Sequence, residues 1–80
     1  AIEEFDQQEM KLRQLLITSS SPLLDISLKD SGIRDRYRCM VVGLEEGKER
    51  LSQVPPSRKF RKGDIVWIVG EEANLKELMQ

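Results

Sequence analysis

The stretch Gly63-Asp64-Ile65-Val66-Trp67-Ile68-Val69-Gly70 decides how the rest of the chain is read. Gly63 reaches positive φ at little cost and Asp64 bonds neighbouring backbone, so the pair predicts a turn. Five apolar residues follow without a polar interruption, which predicts a strand covered on both faces and therefore central in its sheet. Gly70 is expected to end that strand. Glu71 and Glu72 then open a last helix, where acidic groups offset the positive end of the helix dipole, and Leu75, Leu78 and Met79 share one face.

Upstream, Cys39 to Leu44 is a second apolar, β-branched run, and Glu45, Glu46, Gly47 and Lys48 have the composition of a hairpin turn. Leu51 to Val54 is expected to return as a brief strand before Pro55 and Pro56, which cannot donate to a ladder and mark an edge or a loop. Between Leu28 and Tyr37 the apolar spacing predicts a short helix, capped by Ser27, running to about Arg36 with Leu28, Ile33 and Tyr37 on its buried side. Gly32 weakens it by about 1 kcal/mol relative to alanine. Leu12 to Ile17 reads as a strand closed by the loop Thr18 to Pro22. The first ten residues carry Glu3, Glu4, Asp6 and Glu9 and no basic residue, with Ile2, Phe5 and Leu12 at helix-like separations. They predict a short amphipathic helix. The expected fold class is thus α+β, a small single domain in the order helix, strand, helix, strand, strand, strand, helix, with a mixed or antiparallel sheet.

Composition bounds what such a domain does. The chain has 80 residues, enough for one domain that buries only about 60% of its unfolded surface. Thirteen Lys and Arg against fourteen Asp and Glu leave a net charge of −1, which favours neither nucleic acid nor an anionic membrane. Hydrophobic residues at 39% and charged residues at 34% suit a globular domain, not a disordered tail. The longest apolar run falls far below the roughly 20 residues of a membrane-spanning helix. There is no histidine, so the commonest general base and metal ligand are both missing. The single cysteine, Cys39, excludes an intrachain disulfide and points to a reducing compartment. No secretory signal opens the chain, and its start at Ala1 rather than Met reads as a piece of something longer.

Three basic groups are candidates for anion binding: Arg34, Arg36 and Arg38 around Tyr37; the run Arg58, Lys59, Phe60, Arg61, Lys62; and the pair Lys48 and Arg50. Brought together, the first two would grip a phosphate bidentately, with Tyr37 or Phe60 stacking on a base. The plainer alternative is a solvated helix end and an exposed turn. Glu45 with Glu46, and Glu71 with Glu72, are adjacent pairs that do not converge on one point, so they read as turn and helix-start residues and not as an acid and base pair. Cys39 inside an apolar strand reads as an inert hydrophobe, and Trp67 as core. Phosphate-loop motifs and metal-ligand spacings are absent.

Residues 21 to 44, S-P-L-L-D-I-S-L-K-D-S-G-I-R-D-R-Y-R-C-M-V-V-G-L, and residues 55 to 70, P-P-S-R-K-F-R-K-G-D-I-V-W-I-V-G, together with the closing leucine helix, resemble the TrkA C-terminal domain, also called RCK-C, the C-terminal lobe of the regulator of K+ conductance. The resemblance covers about residues 12 to 80 and leaves residues 1 to 11 as a linker helix from the preceding part of a longer parent. It implies a TrkA-C-like, non-enzymatic regulatory domain of a potassium transporter, channel or Kef-like cation/proton antiporter, itself soluble and held at the cytoplasmic face of the cell membrane. The implied partners are a second copy, in a homodimer, and the membrane-embedded portion of the parent, with no nucleic acid and no membrane insertion by this segment. The implied ligand is a small anionic effector such as a cyclic dinucleotide, with no cofactor and no metal. Many members carry arginine where this chain has Glu45 and Glu46, and a carboxylate there repels phosphate. The effector contacts expected are then Arg34, Arg36, Tyr37, Arg38 and Arg58. The alternatives are a structural dimerisation domain without an effector and, on the basic run with Phe60, a single-stranded nucleic-acid binder.

Overall fold

The structure, a computed structural model, describes residues 9–80. Its strands are β1 (Met10–Leu16), β2 (Met40–Glu46), β3 (Glu49–Leu51) and β4 (Ile65–Glu71), followed by the helix α1 (Glu72–Met79). The sheet order is β1-β4-β2-β3 and every ladder is antiparallel. As its unbroken apolar run predicts, β4 is central, flanked by both seven-residue strands. Val66 and Ile68 point into the core and are fully buried.

That core lies on one side of the sheet. Leu44, Val66 and Ile68 meet Ile17, Leu23, Ile33, Cys39 and Phe60 from the connecting segments, and Leu75 and Leu78 from α1. Leu75 and Leu78 lie on one face of α1, as the helical spacing requires, while Met79 is half-buried.

The expected element order is not borne out. Residues 27–38 form no α-helix but two successive turns. Ser27 caps the first as expected, its Oγ accepting from the Asp30 N–H at 3.1 Å, and the Ser31 N–H reaches the Ser27 carbonyl at 2.9 Å. Gly32 then takes φ +77° and breaks the helical path. A second turn closes with the Arg38 N–H on the Arg34 carbonyl at 3.1 Å and the Cys39 N–H on the Ile33 carbonyl at 2.8 Å. Each bond spans one residue more than its counterpart in a Schellman end, and the chain leaves the turn through a left-handed residue, as helical turns commonly do. Arg38 supplies it at φ +56°, where glycine is the usual occupant. Apolar periodicity alone does not reveal such an interruption.

At the N-terminus, Met10 and Lys11 belong to β1 and not to a helix. The rest of the expected linker helix, residues 1–8, lies outside the described residues. Strand β3 spans Glu49–Leu51 instead of Leu51 to Val54, because Gly47, at φ +60°, closes a two-residue turn with Lys48 and pairing resumes at once with Glu49 opposite Glu46.

Gly70 does not end β4, which continues to Glu71 with Gly70 paired to Lys11. Glycine is required there for a steric reason. A Cβ at this position would sit 2.6 Å from the Cys39 Sγ and 3.3 Å from its Cβ. Gly70→Ala is therefore expected to cost about 1–3 kcal/mol by overpacking. Cys39→Ala removes the clashing sulfur, so the double variant should lose less than the sum of the two single changes in urea unfolding. Simple additivity would show that the close approach is not what selects glycine.

Candidate ligand groove and its anchoring ion network

The two turns that replace the expected helix shape a groove of about 590 Å³, inside the range of about 300–1,000 Å³ that small-molecule sites occupy. Leu28, Ile33, Cys39, Val41 and Pro56 supply apolar wall, and Lys29, Arg34 and Asp35 supply charge. Lys29 and Arg34 are exposed and make no ion pair with any described residue. The groove thus offers two cations, unpaired among the described residues, against one carboxylate beside an apolar floor. Such an arrangement suits an anion carrying a flat or apolar body, with charge-assisted hydrogen bonds from the guanidinium.

Of the residues expected from sequence, Arg34 alone lines this groove. Arg36 lies over the Tyr37 ring, 5.5 Å from its centroid, and Tyr37 packs against the core. Arg38 is exposed at the left-handed position next to Cys39. The sequence grouping missed the apolar wall: Pro56 stands 22 residues from Arg34 and reaches the groove because its carbonyl accepts from the Lys29 N–H at 2.9 Å.

Arg58 is engaged elsewhere. Its Nη1 donates to Asp64 Oδ2 at 2.9 Å, and its Nη2 to Asp64 Oδ1 at 3.3 Å and Glu46 Oε2 at 3.0 Å. The Arg58 and Asp64 side chains are only 12% and 3% exposed. Asp64 also accepts from the Arg61 N–H at 2.8 Å. The hydrogen bonds to Asp64, above all, hold the Arg58 guanidinium's pKa above its ordinary value. Arg58 accordingly ties the end of β2 to the turn before β4, and the same segment, through the Leu28 N–H on the Arg58 carbonyl at 3.0 Å, holds the Pro56 wall against the first turn.

Phe60 is fully buried, so it presents no ring on which a base could stack. Trp67 is half-buried rather than core, on the sheet face away from the core, with Nε1 donating to Glu45 Oε2 at 2.7 Å. Glu45 also lies 3.7 Å from Arg50. The two glutamates that stand in place of the arginine therefore have cationic or N–H partners of their own, and neither lines the groove. Burial pushes the Cys39 thiol up, and its Sγ donates to the Tyr37 carbonyl at 3.4 Å. It is a packed hydrophobe, as expected of a thiol in apolar surroundings.

The TrkA-C domain model matches residues 12–80, and the chain belongs to that family. A probable potassium channel protein 2 of Methanocaldococcus jannaschii is 32% identical over 72 residues, which is 90% of this chain and 21% of that protein. Among solved structures, the RCK C domain of the potassium transport protein KtrA, in complex with cyclic diadenosine monophosphate, superposes with a TM-score of 0.79 at 23% identity, covering 98% of this chain and 87% of that one. The RCK_C domain dimer of S. agalactiae BusR, in complex with c-di-AMP, gives a TM-score of 0.70 at 18% identity, covering 85% of this chain and 93% of that one. At these identities the structural likenesses establish the fold.

Proposed function

From a TrkA-C domain with this groove, we propose a ligand-sensing regulatory domain of a monovalent-cation transporter, channel or cation/proton antiporter, working as a homodimer. The observation that carries the reading is the 590 Å³ groove with Arg34 and Lys29 unpaired among the described residues at an apolar wall. Its ligand is a small anion of the cyclic-dinucleotide class, gripped by Arg34, with Arg36, Tyr37 and Arg38 on the adjoining turn. Arg58 keeps that turn and the Pro56 wall in place instead of touching the ligand. The likeness to KtrA and BusR domains in complex with c-di-AMP supports this choice. No chemistry is performed. The ligand acts by binding one arrangement of two protomers more tightly than another, since equal affinity would shift nothing. Residues 1 to 11 carry that change toward the membrane-embedded part of the parent at its cytoplasmic face.

Calorimetric titration with cyclic dinucleotides, adenine nucleotides and monovalent cations tests the reading. Heat is expected with a cyclic dinucleotide. Arg34→Ala should weaken binding about 10-fold or more through loss of a charge-assisted contact. Because Arg34 is exposed, its removal should leave folding stability within about 0.5 kcal/mol. Silence with every ligand would leave the structural dimerisation domain as the better account.

A further inference from the structure

The groove holds one group at odds with an anionic ligand. Asp35 lines it together with Lys29 and Arg34, and a carboxylate beside a phosphate repels it. The Asp35 side chain is exposed and makes no ion pair with any described residue. Residues 34 and 35 belong to the turn closed by the Arg38 N–H on the Arg34 carbonyl at 3.1 Å. Neighbouring positions on a helical turn diverge by about 100°, so the carboxylate does not fold back on the guanidinium beside it. The groove therefore has a cationic part for phosphate and a carboxylate set apart from it. We infer that Asp35 is the specificity-determining residue of the groove: its carboxylate accepts two N–H groups from the base of the ligand and so selects guanine over adenine.

Guanine presents N1–H and one N–H of its 2-amino group side by side on its Watson–Crick edge, the same parallel fork with which a guanidinium meets a carboxylate. Both oxygens of Asp35 then accept, and their negative charge strengthens each bond. Adenine presents on that edge one amino group beside the N1 lone pair, which faces the second carboxylate oxygen without a proton between them. Discrimination thus comes from repulsion of adenine as much as from attraction of guanine. The flat face of a purine suits the wall of Leu28, Val41 and Pro56. That wall keeps water from one side of the pair, so the bonds to Asp35 count for more than they would in open solvent. The phosphate is left to Arg34 and Lys29. The inference rests on the ligand-sensing reading and names the base, which the likeness in fold leaves open.

Calorimetric titration of the 80-residue chain with cyclic diguanosine monophosphate and with cyclic diadenosine monophosphate, each with and without Mg2+, is repeated on Asp35→Asn and Asp35→Ala. The wild-type chain is expected to bind the guanine ligand about 10-fold more tightly or better. Asparagine offers one acceptor and one donor, which match the adenine edge, so Asp35→Asn should reverse the order of the two ligands. Asp35→Ala should weaken the guanine ligand and bring the two level. Because Asp35 is exposed, neither variant should move the urea unfolding midpoint. A wild-type chain that binds the adenine ligand as tightly as the guanine one, or more tightly, overturns the assignment and leaves the ligand-sensing reading intact. An equal gain in affinity for both ligands in both variants does the same, since it makes Asp35 a repelling charge only. So does a guanine preference that needs Mg2+, which puts a metal ion on the carboxylate. Absence of heat with both ligands overturns the ligand-sensing reading and this inference with it.

Discussion

Arg58→Ala is expected to remove about 3–5 kcal/mol of folding stability, because it strands a buried carboxylate. Asp64 is 2% exposed and receives both guanidinium nitrogens of Arg58. Without them one backbone N–H, from Arg61, remains to it among the described residues. A domain of this length holds roughly 4–12 kcal/mol in total at 0.05–0.15 kcal/mol per residue, so the loss takes much of it. The carboxylate's own removal discriminates this account from lost packing by the arginine stem. In the Arg58→Ala background, Asp64→Asn should cost markedly less than it does in the wild type, since the charge it removes is no longer paired. Glu46→Gln should cost under about 1 kcal/mol, since its side chain is 41% exposed and its ion pairs are screened. Urea unfolding with an unchanged slope reads all four values. A loss under about 1 kcal/mol for Arg58→Ala would contradict the assignment of this network as the tie between β2 and the turn before β4.

The pH dependence follows with a definite sign. The folded state raises the Arg58 pKa, chiefly through its hydrogen bonds to Asp64. A raised pKa contributes stability that is complete below the unfolded value and lost only as pH rises through the folded one. Both lie above the range in which proteins are handled, so the network is constant across neutral and moderately alkaline pH. Cys39 behaves differently: burial raises its pKa, so the native state gains nothing from ionisation while the unfolded thiol ionises. Stability should therefore fall as pH rises through the ordinary thiol range.

What the sequence made legible was local, and what it hid was distant. The run from Ile65 to Val69 needs no partner to be read as a strand, and its apolarity on both sides already required two coverings. The turn at Gly63 and Asp64 and the leucine face of α1 were likewise readable from neighbours three or four residues away. The segment from Ser27 to Arg38 was misread because Gly32 and Arg38 hold left-handed backbone that apolar spacing does not encode. The partners of Arg58 were hidden for another reason. A charge run gives no hint that its first member reaches Glu46, twelve residues back, and Asp64, six residues on. Arg34 is legible as charge because it belongs to the cluster of cations near Tyr37 and is exposed, yet the apolar wall of the groove that it lines arrives from Pro56 by tertiary contact.

Phe60→Ala should be the other severe loss, about 3–5 kcal/mol from transfer and cavity terms. The ring is fully buried at the meeting point of the segments that lack regular secondary structure. Its N–H donates to the Ile26 carbonyl at 3.0 Å, its carbonyl accepts from the Asp25 N–H at 2.8 Å, and it bridges Leu24 in a parallel pair. Those backbone bonds hold the groove's turns to the body of the domain, and the ring is the apolar mass that keeps them dry. Phe60→Leu, which leaves a smaller void, should cost distinctly less than alanine, and hydrogen exchange in residues 23–28 should accelerate in the order wild type, leucine, alanine. The position sits between lysine and arginine in a run that, by composition, suits an aromatic platform for single-stranded nucleic acid. The two accounts part cleanly. A stacking ring would be dispensable for folding, so Phe60→Ala would leave the unfolding midpoint unchanged and weaken oligonucleotide binding. A core ring moves the midpoint and gives oligonucleotides nothing to lose. Lys59 and Arg61, on either side of Phe60, are exposed and form the solvated flanks of a buried anchor.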